Sequence, residues 1–185
     1  MENRFANPAP LGLIGFAATT WLLSLVNAGF FSQESLSLVL AMALAFGGGA
    51  QVLAGLLSYF RGNTFATVAF VSYGSFWLSF VAYVHEFGGG AAPSFVGWYL
   101  FVWGVFTLYM WIASFRHNTA LQLVFLTLWI TFFILAAGDL FALPVLHKTG
   151  GFTGLLCAAL AAYLSAAEII NADYGRTILP IGSRT

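Results

Sequence analysis

Charged residues are so thinly spread along this chain that they leave six apolar runs, each long enough to cross a bilayer. The first run opens at Asn7-Pro8-Ala9-Pro10-Leu11-Gly12-Leu13 and meets no charge until Glu34. A membrane-spanning helix needs about 20 apolar residues at about 1.5 Å of rise each. Spans are therefore expected near 9–28, 36–60, 65–86, 95–115, 119–141 and 151–171. The runs are continuous rather than alternating, which argues against a β-barrel. Only 6% of the residues are charged and 61% are hydrophobic, whereas a soluble domain carries about a quarter charged residues. Such a chain cannot cover itself with a solvated surface. The expected fold is an all-α integral membrane protein, one domain over residues 1–185 with short tails near 1–6 and 172–185.

The joints between spans are short: Gly29 to Ser35, Arg61 to Thr64, Phe87 to Ser94, Arg116 to Asn118, and Ala142 to Gly150. Gly88-Gly89-Gly90 with Pro93, and Pro144 with Gly150-Gly151, read as helix breakers at two of them. Short joints make consecutive helices antiparallel neighbours. Arg4, Arg61, Arg116, Arg176 and Arg184 all fall on one side of a six-span topology, and Lys148 alone on the other. The positive-inside rule then places both termini in the cytoplasm. No basic n-region with a cleavage site precedes the first run, so residues 1–6 read as a short retained tail.

A repeat underlies the spans. Arg61-Gly62-Asn63-Thr64 resembles Arg116-His117-Asn118-Thr119, and Arg4 to Asn7 is a looser copy. Asn7 and Asn63 are 56 residues apart, Asn63 and Asn118 55. One helix hairpin is thus used three times, and spans 1, 3 and 5 run parallel around a pseudo-threefold axis. Asn7 is placed to cap span 1, whose early prolines fall where helical N–H groups have no partner. Nine or ten residues inward from each Asn stand Phe16, Tyr73 and Leu128. At 1.5 Å per residue that is roughly 13–15 Å deep, near the bilayer centre. Three bulky side chains at one level could close a pore to water; the alternative is three packing or lipid-facing residues.

Polar groups at mid-depth are few. Gln51 lies in span 2 with Gly47 and Gly55 one turn to either side. Either the three form a packing seam with one interhelical hydrogen bond, or Gln51 lines a passage. Thr19, Thr20, Ser72, Tyr73, Ser75, Thr127 and Thr131 put hydroxyls on the three repeat-equivalent spans. Many such hydroxyls simply bond back to their own helix. Grouped around one axis, they would suit a small anion or neutral acid better than a metal ion, which prefers carboxylates. Glu168, about one turn inside the end of span 6, is the best intramembrane acid and a candidate proton site. Its alternative is an edge residue satisfied by Arg176 or a backbone donor.

Several function classes drop out. The single Cys157 leaves no internal disulfide and no cysteine metal site. His85, His117, His147 and Asp139 lie at span ends without metal-ligand spacing. Gly47-Gly48-Gly49 lacks the Lys-Ser/Thr of a phosphate loop, and no catalytic set appears, so neither an enzyme nor an ATP-driven pump is expected. Six Lys+Arg balanced by six Asp+Glu offer no arm for nucleic acid, and no cofactor is called for.

Three blocks carry a family resemblance: Asn7-Pro8-Ala9-Pro10-Leu11-Gly12-Leu13 with Gly15-Phe16; Gly62-Asn63-Thr64-Phe65 with Ser72-Tyr73-Gly74-Ser75-Phe76-Trp77; and Gly175-Arg176-Thr177 with Leu179-Pro180-Ile181-Gly182. In these the chain resembles the acetate uptake transporters, or succinate–acetate permeases, across nearly its whole length. The resemblance implies six helices per protomer, a homohexamer in the cell membrane, and a passage through each protomer. It implies acetate as main substrate, other short carboxylates such as succinate, and proton coupling. It places the family's hydrophobic constriction on Phe16, Tyr73 and Leu128, and Asn7 at the cytoplasmic mouth. Tyr73 is the one ring member with a hydroxyl to offer. A passive anion channel and a non-transporting sensor or assembly protein are the other readings.

Overall fold

The computed structural model describes residues 6–182. Arg4 and Arg184, used above for orientation, lie outside the described residues. Among the described residues, six helices are long and apolar enough to cross a membrane: α1 (Ala9–Asn27), α2 (Gln33–Phe60), α3 (Thr64–His85), α4 (Pro93–Ser114), α5 (Thr119–Leu140) and α6 (Pro144–Tyr174). α1, α3 and α5 begin at one end, the Asn end. Glu34, Glu86, Asp139 and Lys148 mark the far end.

The parallel helices start with related chemistry. Asn63 Oδ1 accepts from Ala66 N at 2.9 Å, and Asn118 Oδ1 accepts from Leu121 N at 2.8 Å. Each such cap contributes about 1 kcal/mol by satisfying a donor the helix cannot use itself. α1 departs from the expectation by one position. Pro8 takes the cap site, already helical at φ −82° and ψ −10°. Asn7 Oδ1 still accepts from Ala9 N at 3.2 Å, while Asn7 Nδ2 donates to Glu168 Oε2 at 2.9 Å. Its side chain therefore ties α1 to α6 and serves the helix end only in passing.

Two expectations about the spans need correction. The sixth begins at Pro144 rather than near 151. Pro144 opens the helix, where its fixed φ suits the first turn, and the turn before it is carried by Ala142 at φ 52°. Gly150 and Gly151 are not breakers. They are close-packing sites inside α6: a Cβ on Gly151 would lie 2.3 Å from Ala28 N, and one on Gly150 2.4 Å from Leu135 Cδ2. The second span is a continuous helix with a π-helical stretch, Ala43–Ala50, in its middle. Glycines on both sides let α1, α2 and α3 close in, with Leu78 of α3 filling the space beside Gly48. Phe46 O sits where a Cβ of Gly15 would come within 2.7 Å, and Thr19 fills the space beside Gly47.

Around the ring of helices, α1 packs on α2 and α6, α2 on α3, and α4 and α6 each on α5. The α3–α4 pair breaks the expected pattern of closely packed hairpins, because their backbones stay apart. Aromatic side chains fill that gap instead. Phe76 meets Tyr99 at 5.9 Å and Trp103 at 5.3 Å, and Tyr73 meets Phe106 at 5.3 Å. The large rings of both helices reach where no glycine allows contact.

α6 ends at Gly175, whose φ of 62° is the left-handed turn that glycine adopts without strain. The chain then folds back as a strap rather than a free tail. Asn171 Oδ1 accepts from Ile178 N and Leu179 N at 2.7 and 2.9 Å. Ala120 N and Thr119 N, at the start of α5, donate to Ile181 O and Gly182 O, each at 3.0 Å.

Candidate functional site

Two cavities lie between the helices, end to end. The one at the Asn end has a volume of about 120 Å³. The far one is about 370 Å³. Phe16 and Leu128 are the residues their walls share, and Tyr73 lines the Asn-end chamber beside them. Phe16, Tyr73 and Leu128 are 6%, 3% and 4% exposed, so each is clamped in the core rather than turned to lipid. The Phe16 and Tyr73 rings stand 5.9 Å apart at 53°. The three side chains form an apolar partition between the two chambers.

The Tyr73 hydroxyl is not offered to either chamber, contrary to expectation. It donates to Thr107 Oγ1 at 2.9 Å, and Thr107 in turn donates to Trp103 O at 2.7 Å. Thr107 is wholly buried on α4. It holds the phenol by its end so that the ring face, not the hydroxyl, closes the partition. Thr107 lies on α4, outside the three repeat-equivalent spans, so no repeat offset marks it.

The Asn-end chamber gathers the polar side chains that helix starts and α6 supply. Asn63, Asn118, His117, Gln51 and Glu168 all line it. Asn63 and Asn118 use Oδ1 for their caps, which leaves their Nδ2 donors for a guest. The positive dipole ends of α1, α3 and α5 add to a field that favours a carboxylate here. Glu168 is satisfied by Asn7, not by Arg176 or a backbone donor. His117 stacks on Phe65 with centroids 4.4 Å apart. That partial burial holds its imidazole below the ordinary value of 6.5, because desolvation disfavours the cation. In the sequence Asn63, Asn118 and His117 mark the repeat, a pattern that signals architecture and not a chamber wall.

The hydroxyls proved unequal. Thr20 and Thr131 line the far chamber. Thr20 Oγ1 is buried with no hydrogen-bond partner, as is Trp77 Nε1 on the same chamber's wall. Thr131 Oγ1 lies 2.8 Å from both Thr127 O and Thr153 Oγ1, and its one O–H serves one of them at a time. The other four do not line either chamber. Thr19 donates to Gly15 O at 2.9 Å and packs on Gly47. Ser75 is exposed on the outer face and donates to Val71 O at 2.8 Å. Thr127 bonds back to Leu123 O and Val124 O at 2.8 and 3.0 Å. Ser72 is half-buried beside Tyr73 but turned off the cavity walls. A helical period of 3.6 means that only some mid-depth hydroxyls can face the axis, and depth alone does not say which.

At the far mouth, His147 of α6 lines the chamber and stands 2.9 Å from Asp139 of α5, Nε2 to Oδ1. Among the described residues, no group of three or more metal-ligating side chains converges.

This geometry has close counterparts. The succinate-acetate/proton symporter SatP of Escherichia coli K12 is 46% identical, over 98% of this chain and 97% of its own length. Acetate permease A of Emericella nidulans is 36% identical over 97% of this chain and 66% of its own. The solved structure of the bacterial acetate channel SatP superposes with a TM-score of 0.93 at 45% identity, covering 97% of this chain and all of that one. These relatives are transporters and channels, not enzymes, and their likeness makes this chain an integral membrane protein. Residues 1–181 match the GPR1/FUN34/yaaH family, and the chain belongs to it.

Proposed function

We propose that this chain carries acetate, and other short carboxylates such as succinate, across the cell membrane together with a proton, through a passage within each protomer. One observation carries the reading: two chambers in line, divided only by the apolar partition of Phe16, Tyr73 and Leu128. Acetic acid titrates like a side-chain carboxyl, near pH 4 to 5, so at neutral pH nearly all of it is anionic. The anion would be costly in hydrocarbon. Thr20 and Thr131 on one side, and Asn7, Gln51 and the helix starts on the other, lower that cost up to the partition. There the substrate sheds its water, and its methyl group tolerates the apolar wall. Glu168, at the Asn-end mouth, exchanges the proton with the adjoining solution. With Arg61, Arg116 and Arg176 at the Asn end, both termini face the cytoplasm. The exposed aromatic and aliphatic flanks of α2 and α4 suit assembly into a homohexamer within the bilayer.

The runner-up is a passive carboxylate channel. In its favour, the repeat is parallel rather than inverted, whereas alternating-access carriers often use inverted halves. Radiolabelled acetate uptake into proteoliposomes, with and without a pH gradient, separates the two. A proton-coupled carrier accumulates acetate when the outside is acidic and the membrane potential is clamped. A channel shows acetate current at equal pH. Protein-dependent flux absent under both conditions would leave only the non-transporting readings.

A further inference from the structure

The joints around the ring of helices are not alike, and glycine separates them. Between α1 and α2, Gly15 admits Phe46 O; between α2 and α3, Gly55 admits Val71 N. Between α4 and α5, Gly97 admits Ala136 O; α6 seats Gly150 on Leu135 of α5 and Gly151 on Ala28 at the end of α1. A Cβ at any of these glycines would collide with its neighbour. The α3–α4 joint has no such contact among the described residues, and its backbones stay apart. The glycines of these two helices face elsewhere, Gly74 onto Val52 of α2, and Gly97 and Gly104 onto α5.

Side-chain ends cross the α3–α4 joint instead. Tyr73 of α3 donates to Thr107 Oγ1 of α4 at 2.9 Å, and the Thr107 O–H goes to Trp103 O of its own helix at 2.7 Å. Ser79 of α3 repeats the pattern in reverse. Its O–H goes to Phe76 O at 2.8 Å, so across the 2.7 Å to Tyr99 Oη of α4 the tyrosine is the donor. Each helix thus extends one tyrosine to a hydroxyl on the other. Rings and hydroxyls can part by changing rotamer, whereas backbone seated on glycine has no rotamer to yield.

The joint stands at the partition. Tyr73 belongs to both, and Phe76 and Ser79 of α3 line the far chamber with Tyr99 and Leu100 of α4. Directly across the ring lies the α1–α6 joint, held by Gly151 on Ala28, Gly154 on Ser24 and Ser165 Oγ on Pro10 O. These two joints divide the helices into α1–α3 and α4–α6. Phe16 and Tyr73 stand in the first set, Leu128 in the second. Turning one set against the other about α1–α6 separates Leu128 from Tyr73. The loop joining α3 to α4 leaves room for this, since open space surrounds Gly88, Gly89 and Gly90.

We propose that the partition opens by parting α3 from α4 about the α1–α6 joint, with the Tyr73–Thr107 and Tyr99–Ser79 bonds as the fasteners that release. This rests on the transport reading above and adds which part of the protomer moves. Thr107 and Ser79 are positioning residues, acting through the tyrosines they hold.

The test uses the purified oligomer in proteoliposomes with radiolabelled acetate, protein-free vesicles subtracted. In a Ser79→Cys/Tyr99→Cys double variant, a short bis-methanethiosulfonate bridges the joint, as mass spectrometry verifies. Methyl methanethiosulfonate caps the same thiols without joining them. Cys157 is wholly buried and out of reach of both reagents. Bridging should lower acetate flux by about tenfold or more, dithiothreitol should restore it, and the capped protein should still transport. Thr107→Val keeps the side chain's shape but strands the Tyr73 hydroxyl, which raises the closed state. Acetate flux should therefore rise by about threefold, with the preference for acetate over larger monocarboxylates kept. A purely structural role would instead lower flux along with the midpoint of thermal unfolding. If Thr107→Val does not assemble, Ser79→Ala takes its place with the same expected direction. Undiminished flux in the bridged protein overturns the proposal and leaves transport intact. So does an equal loss on capping, or flux at or below wild type in the folded fastener variant. No protein-dependent acetate flux in the unmodified protein overturns both readings.

Discussion

The two halves of the protomer are built on different principles. The Asn-end half is held by directed polar contacts: the Asn63 and Asn118 caps, Asn7 on Glu168, Ser165 Oγ donating to Pro10 O at 2.8 Å, and the strap on α5. The far half is held by backbones that touch through glycine, Gly151 on Ala28 and Gly97 on Ala136 O, and by the aromatic fill between α3 and α4. The chambers follow suit. Directed contacts draw the helix starts together around a small polar space, while bulky rings prop the far end open around a space some three times larger. On the proposed transport reading, the Asn-end chamber handles its guest through amides at the helix ends, and the far chamber through a wider, ring-lined space that also carries the Thr20 and Thr131 hydroxyls.

The contrast can be broken most severely at Gly151. Gly151→Leu would drive a side chain into the Ala28 backbone, which has no rotamer to yield. We expect loss of folded protein, a cost on the order of 4 kcal/mol or more, seen as aggregation on size-exclusion chromatography. A variant that elutes and transports normally would show that α1 and α6 can separate.

Tyr73→Ala should erase the division between the halves. It removes the ring that closes the partition and takes from Thr107 Oγ1 its donor, leaving its bond to Trp103 O. Discrimination between acetate and larger monocarboxylates should relax by roughly tenfold, read from competition uptake. Tyr73→Phe keeps the ring and should keep the selectivity. Unchanged selectivity in the Ala variant would move the partition elsewhere.

Asn118→Ala sharpens the claim about directed contacts. It removes a cap worth about 1 kcal/mol and should lower the midpoint of thermal unfolding in detergent by a few degrees. Asn7→Ala should cost less helix stability, because its strong bond is to Glu168 rather than to a helix end. If the order is reversed, the Asn7–Glu168 tie matters more than the cap.

The smallest effect concerns His117. Burial against Phe65 lowers its affinity for a proton relative to the unfolded chain. The unfolded state therefore binds more protons as pH falls through about 6.5, and folded stability declines on that side. Going from pH 7 to pH 5 should lower the unfolding midpoint, and His117→Gln should flatten part of that slope. A slope equally steep in both proteins would assign the pH response to groups other than His117.

The sequence displayed the number of helices and the grouping of Phe16, Tyr73 and Leu128 because both follow from one-dimensional spacing. Runs between charges count spans, and offsets of nine or ten residues from three asparagines single out Phe16, Tyr73 and Leu128. What spacing could not convey was azimuth. Thr20 reaches a chamber and Thr19 does not, one residue and about 100° apart on the same helix. Nor could composition separate a glycine that ends a helix from one that admits a neighbour. Gly150-Gly151 and Gly88-Gly89-Gly90 read alike, yet only the second is a loop, with Gly88 and Gly89 at φ 68° and 60°. Thr107 stayed hidden for a third reason. Its task depends on Tyr73, 34 residues away, and no local pattern records that pairing.

The strap of residues 178–182 has a temporal consequence. It supplies acceptors to the first turn of α5, and the chain separation is 63 residues from Thr119 to Gly182. Until the polypeptide has been synthesised through Gly182, that turn has Asn118 alone to quiet it. An interrupted product, stalled anywhere in α6, would thus present a frayed segment at the membrane surface, a mark by which a surveillance protease could tell unfinished copies from completed ones.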